Sequence, residues 1–390
     1  MDRLLSYARS NQKEIIAFIR ELVECESPSN DRAALNRFAD LFASRTADIA
    51  RSRKLPGGHL RCEFKLPKRN QQGRILALGH SDTVWPLGAL KTTPFRERDG
   101  RLWGPGVLDM KSGLAFFVYA MRGLRELDIP VRRSVMLQIN ADEEIGSESS
   151  REYTEEAARQ SDFVLVLEPG TGLDGKLKTS RKGVGKYTVA VRGRAAHAGI
   201  DFEAGASAIL ELARQIERIS GFTRLERGIT VSPGTIRGGT RTNVVAAEAH
   251  AEFDVRIVKA SDAGWIDQQF RRLKPFDKRC AIEVAGGLNR PPLERSRPVI
   301  ELFCEARRLA RDLGVTLEES ATGGGSDGNF TAALGIPTLD GLGGVGEGAH
   351  AVNESILIDR IADRTALIAK IVSEARAPGK GGSAKAALRS

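Results

Sequence analysis

Residues 76–86 read LALGHSDTVWP, an apolar run that ends in a histidine and an aspartate two residues apart. On a strand, residues i and i+2 project from the same face, so His80 and Asp82 stand side by side where "RILALG" ends. Taken alone, the pair has two readings: a polar strand end entering a turn, or a metal-binding imidazole whose second nitrogen is held by a carboxylate. Open α/β sheets place their ligands at the carboxyl ends of strands, so the segments around this one decide between them.

Those segments alternate. "RCEFKL" and "RILALGHSDTV" precede the helical "KSGLAFFVYAMRGLREL", whose Phe116, Phe117, Tyr119 and Ala120 form an apolar stripe. "SVMLQINADEE", a helix over about 147–160, and "DFVLVLEPG" complete a βαβ pattern, which predicts an α/β fold with a mostly parallel sheet flanked by helices. Upstream, residues 1–48 read as helices broken at "ESPSND", where Ser29, Asn30 or Asp31 caps the second one. After Lys176 the pattern changes. "GVGKYTVAVRGRAAHAG", "RGITVSPGTIRGG", "VAAEAHAEFDVRIV" and "CAIEVAGG" alternate apolar and polar residues, as an antiparallel sheet with one solvated face does. Helices over 203–219 and 262–273 accompany them. Helix and strand alternation resumes near Pro298. The division is therefore 1–180 and 289–376 as one α/β domain, 181–288 as a smaller α+β domain interrupting it, and 377–390 as a disordered basic tail.

A chain of 390 residues with 41% apolar and 28% charged residues falls in the ordinary globular class. No apolar run reaches the roughly 18–20 residues that span a bilayer. "MDRLLSYARSNQKEIIAFIR" carries charges throughout and reads as an amphipathic helix rather than a signal peptide, so a cytoplasmic location is expected, without membrane association. Cys25, Cys62, Cys280 and Cys304 are far apart, with no C-x-x-C pair, which argues against a disulfide framework or a thiolate zinc site. The net charge of +9 raises nucleic acid as a partner, but Arg376, Lys380, Lys385 and Arg389 place four of those charges on the end stretch "RAPGKGGSAKAALRS". The interior holds no basic block with interleaved aromatics. A positive field that attracts a small acidic substrate fits better.

Chemistry-capable groups follow several apolar strands. Asp109 stands in "WGPGVLDMKSG", Glu143 and Glu144 in "NADEEIGS", Glu168 in "VLVLEPG", and His350 in the glycine-rich "GEGAHAVNE". Singly, each has a dull explanation as a helix cap, a solvated turn, a surface acid or a loop histidine. Together they are two imidazoles and several carboxylates, the donors that zinc and similar divalent ions take. Carboxylates converging without a cation repel one another. A pair of metal ions about 3.5–4 Å apart, sharing one carboxylate, removes that cost and makes a hydrolytic centre. His59 and His250 look incidental.

In order along the chain, "GHSDTVWPLG", "GPGVLDMKSG", "NADEEIGS", "LEPG", "VRGRAAHAG", "TNVVAAEAHAEFDVR", "GGGSDGNF" and "GEGAHAVNE" resemble the M20 family of metallopeptidases, most of all its glutamate carboxypeptidase branch. The resemblance covers nearly the whole chain except the tail. It implies that His80 and Glu168 bind one zinc, Glu144 and His350 the other, and that Asp109 bridges both, with cobalt or manganese as alternative metals. Asp82 would orient His80. Glu143 would be the general base that takes a proton from the attacking water. A cis peptide after Asp109 is implied as well.

By the same resemblance, 181–288 is a lid and dimerisation domain, and the chain forms a homodimer in which His197 reaches the partner's active site to stabilise the oxyanion. Asn243 and Arg256 match substrate-contacting lid residues; read from the sequence alone, Arg256 is equally an exposed strand arginine paired with Asp254 or Glu252. The loop holding Gly324 and Gly325 would lie beside the metals and offer N–H groups to an anion. Lys176 and Arg290 would meet the side-chain carboxylate of a released glutamate; the plain alternative for both is an exposed cation near the hinge. The activity implied is cleavage of the amide that links an acyl or peptidyl group to a C-terminal acidic amino acid. The alternatives are an acetylornithine- or succinyl-diaminopimelate-type deacylase and a metal-binding dimer without catalysis.

Overall fold

The computed structural model describes residues 2–68 and 71–378, so the basic tail expected over 377–390 lies outside the described residues from 379 onward. The chain divides into two units. One holds residues 1–180, 295–321 and 326–390, and the other 181–294 with 322–325. The second unit therefore runs six residues past the boundary expected at 288, and it takes in the four-residue segment Thr322–Gly325.

Strand Arg74–His80 is buried on both faces after its first residue, as a strand covered by helices on both sides must be. It runs parallel to Ser134–Asn140 and to Phe163–Val166, which in turn pairs parallel with Thr338–Leu339. An antiparallel hairpin, Ala50–Leu55 with His59–Phe64, extends the sheet beyond Ser134–Asn140 to six strands among the described residues. Alternate side chains go to opposite layers. Ile75 and Ala77 join the large core that helices Ser112–Glu126 and Ile361–Glu374 fill, whereas Leu76 and Leu78 pack with Ala157 and Ala158 of helix Arg151–Arg159. The register pairs His80 with Asn140. His80 and the segment after Asn140 therefore leave the sheet at the same carboxyl edge.

The second unit is a four-stranded antiparallel sheet, ordered Thr230–Gly238, Glu248–Ile257, Gly183–Arg192, Ala281–Arg290. Along Glu248–Ile257 every second residue is buried, and these residues pack with helices Ala208–Ser220 and Ala263–Arg271 around Phe270, stacked on Tyr187 at 4.0 Å.

The N-terminal stretch read as one helix is two, Arg3–Ser10 and Gln12–Glu24. The amide of Asn11 turns back to the Tyr7 carbonyl at 2.9 Å, the local bond by which asparagine competes with helix propagation. Of the three candidate caps after Pro28, Asp31 does the work, accepting from Ala34 N at 2.9 Å. The helix expected over 147–160 is confined to Arg151–Arg159, because the residues before it are held by side-chain bonds described below.

Candidate metal centre

His80 closes its strand and is 2% exposed. Its Nδ1 lies 2.9 Å from the carbonyl of Asp82 and 3.5 Å from that residue's Oδ1. Those acceptors fix the proton on Nδ1 and leave Nε2 as a lone-pair donor. Nε2 looks at Asp109 Oδ1, 3.1 Å away, and at Glu168 Oε1, 3.4 Å away. The other oxygen of Asp109 is 3.4 Å from His350 Nε2, which is 3.2 Å from Glu144 Oε1. Two clusters of three groups that could hold a metal ion result, His80–Asp109–Glu168 and Asp109–Glu144–His350, with one Asp109 oxygen facing each histidine.

These distances fit a metal. Donor atoms about 2.0–2.2 Å from a tetrahedral zinc stand roughly 3.3–3.6 Å from one another, and the four histidine–carboxylate separations here run from 3.1 to 3.4 Å. The charge balance points the same way. Hydrogen bonds to Asp109 and Glu144 push the His350 imidazole up to about 10. Burial opposes a charge on His80, yet bonds to Asp109, Asp82 and Glu168 override it and raise that imidazole well above its usual value. The carboxylates recruit positive charge wherever they can find it, which is what a cation site does. The Asp109–Met110 peptide is cis, as the resemblance implies.

Asp82 does more than orient His80. Fully buried, its two oxygens accept from the backbone N–H groups of Glu143 and Glu144, each at 3.1 Å, and Ser29 Oγ donates to it at 2.8 Å. One carboxylate thereby ties a ligand of the first cluster to the loop that carries a ligand of the second.

Sequence reasoning missed Glu354 and misjudged His59. Glu354, 2% exposed, accepts from the backbone N–H groups of Gly106, Leu108 and Asp109 at 2.8–3.0 Å and from the Trp85 indole at 2.9 Å. It is the anchor of the loop that presents Asp109. His59, read as incidental, is fully buried. Its Nδ1 accepts from Ala141 N at 3.0 Å, and its Nε2 lies 3.0 Å from Ser149 Oγ. Ser149 in turn donates to Asp142 at 2.7 Å. His59 thus clasps both ends of the Glu143–Glu144 loop, and burial lowers its pKa so that it stays neutral. Gly57 is required beneath it, since a Cβ there would come within 2.3 Å of the ring. His59→Phe should weaken metal binding at the Glu144–His350 cluster by about 10–100-fold, the usual cost of removing a residue that orients a ligand. Titration calorimetry would show this as a selective loss at one of two sites.

The remaining candidates belong to neither ligand cluster. Lys176 belongs to the first unit, where its Nζ pairs with Glu318 at 2.6 Å. In the second unit, Arg256 closes its fork on Asp254 with two bonds of 2.8 Å and donates to the Gly323 carbonyl at 3.1 Å. The pairing with Asp254 is the one its strand position allows, since residues two apart share a face. The Gly324 and Gly325 carbonyls accept from Arg181 Nη1 at 3.2 and 3.0 Å, so this loop engages arginines through its oxygens. Arg290, 8% exposed, packs its Cδ within 3.0 Å of where a Gly325 Cβ would stand. His197 is exposed and accepts at Nδ1 from Gly199 N at 3.2 Å. Asn243 lies close by, its carbonyl bonded to Ala198 N at 3.0 Å.

The family model for peptidase family M20/M25/M40 matches residues 76–374. Carboxypeptidase G2 of Pseudomonas sp. (strain RS-16) is 26% identical over 381 residues, 95% of this chain and 91% of that protein. A succinyl-diaminopimelate desuccinylase of Bordetella petrii is 30% identical over 309 residues, 74% of this chain and 80% of the relative. Among solved structures, aminopeptidase PepT of Bacillus cereus superimposes with a TM-score of 0.75 at 24% identity, covering 93% of this chain and 98% of that one.

Proposed function

The chain belongs to peptidase family M20/M25/M40 and is a metal-dependent hydrolase, and from that premise we propose that it releases a C-terminal acidic amino acid from an acyl or peptidyl group. The observation that carries the hydrolytic centre is the pair of ligand clusters joined by Asp109. His80 and Glu168 would hold one divalent ion, Glu144 and His350 the other, and zinc suits their nitrogen and oxygen donors. Such ions supply Lewis acidity, polarising an amide carbonyl and bringing the pKa of water down toward 7.

The protein's own groups do the rest. Glu143, its backbone pinned by Asp82, takes a proton from the attacking water and passes it to the departing amine nitrogen. Gly199 N–H occupies Nδ1 of His197, which leaves the Nε2 side of the ring to donate to the oxyanion. Arg256 and Asn243 receive the α-carboxylate, while Arg290 and Lys176 cover the side-chain carboxylate. Lys176 exchanges Glu318 for the substrate, an exposed pairing that costs little to break.

The acidic leaving group is supported by the likeness to carboxypeptidase G2 along 95% of the chain. The desuccinylase likeness, at 30% identity, supports the second reading, an N-deacylase of a diamino acid. Assay of zinc-loaded protein against N-acyl-Glu, N-acyl-Asp, N-acetylornithine, N-succinyl-diaminopimelate and neutral N-acyl amino acids separates the two. A preference for the basic or diamino substrates would overturn the first reading.

A homodimer through the second unit is part of the proposal. Strand Thr230–Gly238 is an edge strand, exposed along nearly its whole length, with Ile236 58% exposed; Ile209 and Leu210 on helix Ala208–Ser220 are exposed too. An uncovered edge with apolar neighbours suits a second copy. If His197 acts across that interface, mixing His197→Ala with Glu143→Gln subunits should restore roughly a quarter of wild-type activity, because half the dimers would be hybrids with one intact site. Absence of recovery after subunit exchange would confine His197 to its own subunit.

A further inference from the structure

Val84, Leu87 and Ile145 are large apolar side chains left 46%, 55% and 65% exposed, and all three line one cavity of about 450 Å³. Exposed apolar side chains are usually scattered; gathered in a concave site they mark a place where something apolar covers them. Trp85 and two prolines extend the apolar wall, and Glu144, whose Oε1 faces His350, lines the same cavity. The cavity thus shares one residue with the candidate metal centre.

Its walls are held in place without any ligand. Thr83 N donates to Ser27 O at 2.9 Å and Ser29 N to Thr83 O at 3.2 Å. Ser29 is fixed on Asp82 and Trp85 on Glu354. Past Leu87, Gly88 N and Leu90 N both donate to the Glu26 carboxylate at 2.9 and 3.0 Å. A cavity whose walls are already ordered loses little on binding.

Its charge selects an occupant. The ionisable side chains that line it among the described residues are Asp31 and Glu144, with no lysine or arginine. A carboxylate entering would be desolvated against apolar walls with no protein cation to meet it. The acidic amino acid of the substrate therefore belongs elsewhere. We infer that this cavity receives the acyl half, and that this half is neutral, apolar and larger than acetyl. The inference rests on the amide hydrolysis proposed above and narrows it, since a succinyl group carries the carboxylate that the cavity refuses.

The test compares N-acetyl-, N-pentanoyl-, N-hexanoyl- and N-succinyl-glutamate on the metal-loaded full chain. At about fourfold per buried methylene, burial of two to three of the four extra methylenes should raise kcat/KM for hexanoyl over acetyl by about 10–100-fold. Pentanoyl should exceed its near-isostere succinyl by at least about tenfold. In Leu87→Asp the hexanoyl-to-acetyl ratio should fall to within about threefold of one, and in Leu87→Arg the succinyl-to-pentanoyl ratio should rise about tenfold. A wild-type ratio near one, or ratios that neither replacement moves, would overturn the inference.

Each ratio is taken within one leaving group, so it is read on whichever amino acid the protein releases. Preference for a neutral leaving group would sink the acidic-substrate proposal and leave the acyl ratios to stand or fall by themselves. Should no amide be turned over, saturation-transfer NMR with N-hexanoylglycinamide gives a readout independent of turnover. Signal in the wild type that is lost in Leu87→Asp supports the site, and no signal in the wild type refutes it.

Discussion

Glu143→Gln should lower kcat by about 10²–10⁴-fold, the span that a positioned general base contributes, while KM, fold and metal content stay close to wild type. Glutamine has nearly the shape of glutamate and keeps an acceptor oxygen, so the backbone bond from Glu143 N to Asp82 is untouched. What disappears is the ability to take a proton. The neighbouring candidate ligand, Glu144, is held by its own bond to Asp82 and faces His350, so metal analysis by mass spectrometry should return the wild-type stoichiometry. A fall in turnover together with lost metal would mean that Glu143 acts as a ligand. A kcat within threefold of wild type would move the base elsewhere.

Asp109→Ala should do something no other single ligand replacement does. Asp109 lends one oxygen to each cluster, so its removal leaves each ion with two protein ligands. After dialysis, metal content should drop from two ions per chain to nearly none, with hydrolysis reduced to background. Glu168→Ala and His350→Ala serve as comparisons, each expected to lose one ion and keep the other. The loss should also be visible as stability. An ion that binds only the folded state stabilises it by about 4 kcal/mol when present at a thousand times its dissociation constant, so the melting temperature of Asp109→Ala should no longer respond to added zinc. A variant that still held two ions would show the clusters to be independent.

The carboxyl-edge rule made part of this centre legible from the chain alone. His80 ends an apolar strand, and Glu143, Glu144 and Glu168 follow others within a few residues; the continuous apolar runs of strands buried on both faces are visible in the residue types. Asp109 and His350 stand in loops with no periodicity to place them, and their assignment leaned on motif resemblance. What supports them was illegible. Glu354 meets the Asp109 loop across 245 residues, and His59 meets Ser149 across 90. Such bonds leave no trace in local pattern, since a buried histidine and a surface one occupy the same kind of sequence. The same limit applies to Lys176. Its spacing from Glu168 suggested a substrate contact, but its partner, Glu318, arrives only after the second unit has been traversed. Helix ends were blurred where side chains overrule propensity, as Asn11 does on Tyr7.

The chain returns to the first unit before it supplies His350 and Glu354, and this orders the birth of the centre on the ribosome. By the time Glu168 has emerged, all three donors of one cluster exist, while the other has Asp109 and Glu144 alone. The two clusters are thus unequal in history even though they share a carboxylate. The first has its full donor set before the second unit is made, and the second waits for a histidine that follows Glu168 by 182 residues. Where each cluster takes an ion, the first can be filled before the last residue of the second exists.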